Sequence, residues 1–226
     1  MPTITELITG HEGRSLSSWA RRGRYQQLLE EFPGIERMRV LDLGGEPHTW
    51  AAAERRPREV VLLNIPWRAE EQAAELAGRP DADWLVPLGG DACDPPASLR
   101  DERFDLVYSN SVIEHVGGHQ RRRAFAYWAQ ALGEHHWIQT PNRWFPVEPH
   151  WACPGLQYLP PRGRAAVSQV WPIGNYTKRR DSLRQRMGDA LAVELLSTSE
   201  LRWYFPESRI LRERVAGMPK SLIAVR

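Results

Sequence analysis

Cysteine is scarce in this chain: Cys93 and Cys153 are the only two among 226 residues, and neither belongs to a C-x-x-C or other zinc-ligand spacing. That argues against a disulfide framework and a structural zinc, and leaves reduced thiols as the expectation. Long apolar runs are missing too. No segment approaches the roughly 18 apolar residues that span a bilayer, and the N-terminal "MPTITELITGHEGRS" lacks a basic region followed by an apolar one. The expectation is a soluble cytoplasmic protein with no membrane span. Excess charge is small as well, 30 Lys+Arg against 28 Asp+Glu. Three basic clusters stand out, "RRGR" from Arg21, "RRR" from Arg121 and "KRR" from Lys178. A nucleic-acid groove needs such clusters on one face with stacking aromatics between them. They read as solvated helix faces, and no nucleic-acid partner is expected.

What is present suits one core. At 226 residues, 42% hydrophobic and 26% charged, the chain is long enough for one sizeable domain and too short for two comfortable ones. The reading is a single domain over 1–226, with an N-terminal helical segment over 1–37 and an inserted loop or lid over 141–178. "SLSSWARRGRYQQLLEEF" places Leu16, Trp19, Ala20, Leu28, Leu29 and Phe32 at near-helical spacing, and Pro33-Gly34 stops it. "RVLDL" (39–43), "EVVLLN" (59–64), "FDLVYS" (104–109) and "HHWIQT" (135–140) are short, apolar, β-branched-rich runs that read as strands, with "DWLVPL" (83–88) a weaker one. Helical patterns over 49–55, 68–76 and 119–132 alternate with them. This implies βαβ units, a parallel sheet covered on both faces and an α/β fold. From Pro141 to Asn175 the chain is dense in Pro, Trp and Gly, which resists helix and strand and suits a functional loop. A helix candidate over 179–197 follows. Then "RILRERVAG" and "SLIAVR", separated by "MPK", predict a closing antiparallel hairpin.

The stretch "VLDLGGEPHTW" (40–50) lies where the first strand of such a sheet turns into its helix, the usual seat of a cofactor. Gly44 and Gly45 let the backbone approach a ligand and take positive φ. Glu46 adds negative charge and Pro47 removes an N–H, so a pyrophosphate on the helix N-terminus is disfavoured. A cationic, phosphate-free cofactor fits better, with Asp42 and Glu46 supplying carboxylates.

These residues resemble the class I S-adenosylmethionine (SAM)-dependent methyltransferases, of the methyltransferase type 11 kind. "VLDLGGEPHTW" looks like their first motif, "VVLLNIP" like the end of their second strand, "LGGDACDPP" like their adenine loop and "FDLVYSNSVIEHV" like their fourth-strand motif. The resemblance covers most of the chain. It implies a Rossmann-like seven-stranded, mostly parallel sheet with helices on both faces and a C-terminal antiparallel hairpin, in which only the last-inserted strand is antiparallel. It implies SAM as cofactor, with Asp42, Gly44 and Gly45 bordering the methionine moiety, Asp91 and Ala92 meeting the adenine, and Ser109 and Asn110 near the transferred methyl. Two departures stand out: Asn64 replaces the acidic residue that usually accepts the ribose hydroxyls, and Glu46 replaces the customary third Gly.

A sulfonium is already activated, so such an enzyme aligns its reactants and deprotonates an alcohol acceptor. Histidine is the usual base. His115, beside Glu114 in "SVIEHV", is the first candidate, His150 in "TPNRWFPVEPHW" the second and His119 the third. His135 and His136 are adjacent on a strand, point to opposite faces and leave one of them to the core. The Glu114-His115 pair also resembles members of the family that hold a divalent metal with two glutamates and a histidine. Here Ser111 stands in the first glutamate's place, so a metal such as Mg needs another carboxylate or water to complete an oxygen shell. The acceptor is read from Arg143, Trp144, Phe145, Glu148, His150, Trp151, Tyr158 and Trp171, which combine flat aromatic surfaces with polar groups and suit a glycoside. About half of these aromatics are expected simply to pack the loop. The stretch also resembles small actinobacterial O-methyltransferases, some acting on sugars in polymethylated polysaccharide pathways. The resulting expectation is an O-methyltransferase of a sugar or short oligosaccharide. The alternatives are a phenolic or lipid-like acceptor, or a SAM-binding module without catalysis. An NAD-dependent oxidoreductase is disfavoured by the absence of G-x-G-x-x-G and of a Tyr-x-x-x-Lys pair. The oligomeric state stays open, a homodimer being one arrangement.

Overall fold

The computed structural model describes residues 16–51, 53–171 and 182–226, and the side chains among these from Gly23 onward. The Lys178 cluster, residues 1–15 and 172–178 of the two expected segments, and the side chains of Leu16, Trp19, Ala20 and Arg21 lie outside what is described.

The apolar runs form the sheet. Strands β1 (Arg39–Leu43), β2 (Glu59–Asn64), β3 (Leu85–Gly89), β4 (Phe104–Asn110) and β5 (Gly133–Pro141) pair in parallel in the order β3-β2-β1-β4-β5. Strands β8 (Arg209–Val215) and β9 (Met218–Val225) extend the same sheet. β9 runs antiparallel between β5 and β8, so it alone opposes the other six. Val40, Leu41, Leu62 and Leu106 are wholly buried because helices cover both faces, which is why these strands read as continuous apolar runs. One face packs Phe104, Val107, Phe125, Leu132, Ile138 and Phe205. The other packs Leu28, Phe32, Trp50, Tyr108, Trp137 and Ile223.

Helix α1 (Leu16–Glu31) precedes the sheet, α2 (Pro47–Ala51) follows β1 and α3 (Pro66–Leu76) follows β2. The short α4 (Ala97–Arg100) leads into β4, and α5 (Gly118–Leu132) joins β4 to β5. Prolines sit at the first positions of α2 and α3, where a missing N–H costs nothing, so both helices begin two residues before the expected starts. His136 is buried, its Nε2 2.7 Å from Ser208 Oγ, while His135 on the opposite face packs against Phe32.

Three expectations are corrected. The segment after Pro141 is not irregular throughout: Val147–Glu148 and Cys153–Pro154 form a two-stranded ribbon (β6, β7), and Pro161–Val170 forms helix α6. Pro160 and Pro161 start that helix rather than prevent it, because proline belongs at a helix's first turn. After α7 (Leu183–Leu191) a further helix, α8 (Thr198–Tyr204), stands before the hairpin, set by a capping box between Ser197 and Glu200. The hairpin turns at Ala216-Gly217, both at positive φ (49° and 80°), and "MPK" lies inside β9 beside a bulge at Glu213/Arg214. A smaller apolar cluster of Trp151, Cys153, Leu156, Val193 and Leu195 fastens the post-β5 segment to the chain before α8. Among the described residues no helix is long and apolar enough to cross a membrane.

Candidate active site

The C-terminal ends of β1, β2 and β4 meet at one rim. Gly44 takes φ +76°, and its N–H bonds the Leu63 carbonyl at 2.8 Å. A Cβ on Gly44 would fall 2.6 Å from Val112, and one on Gly45 would fall 2.1 Å from Asp42 Oδ2, so neither position accepts a side chain without rearrangement. The Gly45 carbonyl accepts from Asn64 Nδ2 at 3.2 Å and from the buried Gln72 at 2.8 Å. The one signal for Gln72 in the sequence is its place as a polar residue in the buried stripe of α3.

The two carboxylates beside the turn are engaged differently from the expectation. Asp42 is buried and accepts from Trp50 Nε1 at 2.7 Å, and burial pushes its pKa up to about 7. Glu46 is held by Arg68, which also bonds Glu71 and Glu75, and those bonds keep its carboxyl below the usual range. Neither carboxylate is a free charge at the cofactor seat. Asp42 braces the turn, and Arg68 neutralises Glu46. Asn64 also accepts from the Ile65 N–H at 3.0 Å. Asp91 accepts from the Cys93 N–H and, through both oxygens, from Arg121; burial alone would raise its pKa, and these bonds outweigh it. Ala92 is half-buried beside it. Ser109 Oγ donates to the Leu43 carbonyl at 2.9 Å, tying β4 to the end of β1, and Asn110 Oδ1 accepts from Arg24 of α1. Residues Asn64, Asp91, Ala92 and Asn110 therefore border the rim, while Asp42 and Ser109 act behind it.

The loop after β4 begins with Ser111 at φ 59°, a left-handed conformation held by Ser111 N–H to the Gln139 carbonyl at 3.0 Å and Ser111 Oγ to Gln139 Oε1 at 2.9 Å. That turn carries Glu114 and His115. The loop after β5 carries Glu148 and His150. The two loops meet: His115 Nε2 and His150 Nε2 are 3.0 Å apart, with the rings nearly perpendicular at 83°. His150 Nδ1 bonds Glu148 Oε1 at 2.7 Å, and Glu148 Oε2 accepts from the Trp151 N–H at 2.9 Å. Glu148 is 1% exposed. Glu114, equally buried, accepts from Thr140 Oγ1 at 2.9 Å through Oε2, while its Oε1 has no hydrogen-bond partner. Burial pushes the Glu114 carboxyl up to about 7. Burial, then the neighbouring His150, pushes the His115 ring down to about 4. Burial also pulls His150 down, but Glu148 and the charge of Glu114 outweigh it and leave that ring raised. His119 is elsewhere, its Nδ1 2.9 Å from Tyr204 OH, and does not join the cluster.

Beside Glu148 lies a cavity of about 480 Å³ lined by Arg143, Trp144, Trp151, Tyr158, Arg164 and Glu194 among others. Trp144 and Tyr158, 63% and 50% exposed, stack with centroids 6.0 Å apart. Trp151 is buried in the apolar cluster of the segment after β5, with Trp171 against it. Arg143 donates to the Leu195 carbonyl at 2.8 Å and to Glu200 at 2.9 Å, so it fastens the segment after β5 to α8.

Residues 41–135, from within β1 to within β5, match the family model described as "Methyltransferase domain". The fold superposes on the mitomycin 7-O-methyltransferase MmcR (TM-score 0.55, 15% identity, 95% of this chain and 56% of that one). It also superposes on an O-methyltransferase family protein from Burkholderia thailandensis (TM-score 0.56, 12% identity, 96% and 60%). A third likeness is to DhpI in complex with SAH (TM-score 0.55, 15% identity, 94% and 87%). The chain thus spans little more than half the length of the first two. At these identities the likenesses carry the fold alone. No curated protein matches the sequence. Fold and domain match together point to a methyltransferase domain within a Rossmann-like fold, with SAM as the cofactor that the match implies. The rim fits that group: amide and carboxylate acceptors (Asn64, Asp91) suit ribose hydroxyls and an adenine amine, and Glu46-Pro47 at the turn disfavours a phosphate.

Proposed function

We propose that this chain transfers the methyl group of SAM to a hydroxyl oxygen of a small molecule, with a sugar or short oligosaccharide as acceptor. One observation carries the oxygen acceptor: the Glu148, His150, His115 chain of contacts at the ends of β4 and β5, in the loops the family uses on the acceptor side. An amine does not need such a unit once neutral; an alcohol does, because its proton must go somewhere. Gly44, Gly45, Asn64, Asp91, Ala92 and Asn110 hold the cofactor, which supplies an activated methyl on a sulfonium. The acceptor oxygen forms its bond to carbon as the S–C pair returns to sulfur, leaving a thioether. The proton leaving the hydroxyl passes to the Nε2 atoms of His115 and His150, which at 3.0 Å apart share it as one unit. Glu148 fixes the His150 ring for that purpose.

The sugar rests on the exposed Trp144/Tyr158 pair beside polar Arg143, Gln157 and Arg164, because a sugar sets its apolar face on aromatic rings and turns its hydroxyls to such groups. The test is methyl transfer from labelled SAM to a panel of glycosides, phenols and amines. Glycosides turned over in preference support the reading. Transfer to amines alone, or SAH binding with no acceptor methylated, would overturn it.

A further inference from the structure

We infer that the acceptor carries an acid group, a carboxylate or a phosphate, and that Arg164 binds it, a substrate class that rests on the methyl transfer proposed above. The cavity beside Glu148, at about 480 Å³, falls within the roughly 300–1,000 Å³ of small-molecule sites. Three arginines line it, Arg122, Arg143 and Arg164, together with three glutamates, Glu148, Glu194 and Glu200. Formal charge cancels, so the ligand's sign depends on which of these charges are already matched.

Each glutamate has its partner within the protein. Glu194 is paired with Arg122 and Glu200 with Arg143 at 2.9 Å, while Glu148 holds the His150 ring at 2.7 Å and the Trp151 N–H at 2.9 Å. Arg122 and Arg143 also donate to backbone carbonyls, those of Gly118 and Leu195. Arg164 is left over. Among the described residues its one hydrogen bond runs from Nη1 to the Val193 carbonyl at a long 3.3 Å, and its Nε has no partner. A guanidinium carries five donors in one plane and no acceptor, so most of this group's donors lack a protein partner there.

Nor is Arg164 a cation merely bathed in water. The residue is half-buried, and its Nε is shielded from solvent. It stands in the first turn of α6, whose Ala165 is buried and whose Val167 packs on the cluster of Trp151, Leu156 and Val193. Packed elements therefore present the guanidinium to the cavity. Shielded donors are ordinarily hydrogen-bonded, and here the missing acceptor comes with the ligand. A neutral hydroxyl would occupy one donor and leave the charge unmatched, whereas two oxygens of a carboxylate or phosphate fit the planar fork and neutralise it. Trp144 and Tyr158 line the same cavity, and Glu148 on its wall holds His150. One pocket thus offers a surface for the ring, a cation for the acid and a route to the histidine pair.

The test uses the full chain loaded with SAH and titrated in a calorimeter with matched probes: methyl glucoside, its uronic acid and its 6-phosphate, and a phenol with and without a ring carboxylate. Within each set the acid member should bind about 10- to 100-fold more tightly than the neutral one, the gain from one charge-assisted contact. Comparing uronic acid with phosphate tells which acid group the site takes. Arg164→Gln should bring acid and neutral members to within about threefold of each other, and Arg164→Lys, which keeps the charge without the fork, should retain part of the preference. SAH binding by each variant shows that it is folded. Acid and neutral members bound alike by the unaltered chain, no saturable binding of any acid member, or a preference undiminished in Arg164→Gln would sink the assignment, and the first two need no variant. Acids preferred while labelled SAM methylates none of these hydroxyls would overturn the proposed function and leave the acid site standing. Glycosides methylated, with neutral and acid members bound equally, would do the reverse.

Discussion

Asp42 shows how a residue beside a cofactor seat can have its carboxylate engaged by the protein itself. Its carboxylate sits behind the Gly44-Gly45 turn, tied to Trp50, in space a Cβ on Gly45 would claim. The absence of that Cβ is what lets the bracing carboxylate exist. Burial raises its pKa from 3.8 to about 7. Between those values the unfolded chain has released the proton while the folded chain keeps it. Asp42 therefore contributes stability that is full below about pH 4 and is lost as pH rises through about 7. Asp42→Asn keeps the acceptor for Trp50 and removes the titration. The expected outcome of denaturant unfolding at pH 4, 5.5, 7 and 8 is a wild-type stability that declines more steeply than the variant's up to pH 7, with parallel behaviour above. Equal slopes across that range would show that Asp42 stays ionised when folded.

At the scale of elements, periodicity located the five parallel strands and the helices over Pro66–Leu76 and Gly118–Leu132 to within about two residues. It failed where local signals outweighed composition. Pro160-Pro161 read as a breaker, yet it is a start signal for "RGRAAVSQV", whose buried Ala165 gives little apolar pattern. Ser197-Thr-Ser-Glu200 carries a capping box whose S-x-x-E spacing is legible in the sequence, against the longer helix expected over 179–197. In α8 the Ser197 side chain accepts from the Glu200 N–H while Glu200 reaches back to the Ser197 N–H at 2.8 Å, and Glu200 also receives Arg143 from the segment after β5. The cap thus joins the helix to the segment that carries Trp144 and Glu148. Ser197→Ala should cost about 1 kcal/mol, seen as a fall in Tm of roughly 2–4 °C for a chain of this length. Hydrogen exchange should quicken in α8 and in 142–158 together. Exchange confined to α8 would show that the cap does not support the segment after β5.

At the scale of the whole molecule, the active-site grouping was only half legible. Glu114, His115, Glu148 and His150 each stood out by type and by strand end, but nothing local tells that residues 35 positions apart will set two ring nitrogens 3.0 Å from each other. That follows from β4 and β5 being parallel neighbours, with Asn110 beside Gln139, so their following loops leave the sheet side by side. Arg24 had still less signal. In an apparently solvated "RRGR" it is a tie, its side chain 11% exposed, bonded to Asn110 at the end of β4 and paired at 3.3 Å with Glu213 of β8. One side chain joins the first described helix to the middle of the sheet and to the closing hairpin. Glu213, 13% exposed and with Oε1 lacking a hydrogen-bond partner, depends on that cation. Removing one member of a buried pair strands the other, a loss of about 3–5 kcal/mol, whereas replacing both with neutral groups of similar volume costs much less. Arg24→Ala should therefore destabilise the chain more than the double change Arg24→Met with Glu213→Gln, as read from guanidinium midpoints at constant m. Its hydrogen exchange should accelerate in α1 and in β8, at opposite ends of the sequence. A single variant no less stable than the double one would mean that the pair is solvated in solution, and that α1 is held without it by Tyr25, Leu28, Leu29 and Phe32 and by its remaining polar ties to Arg55 and Arg209.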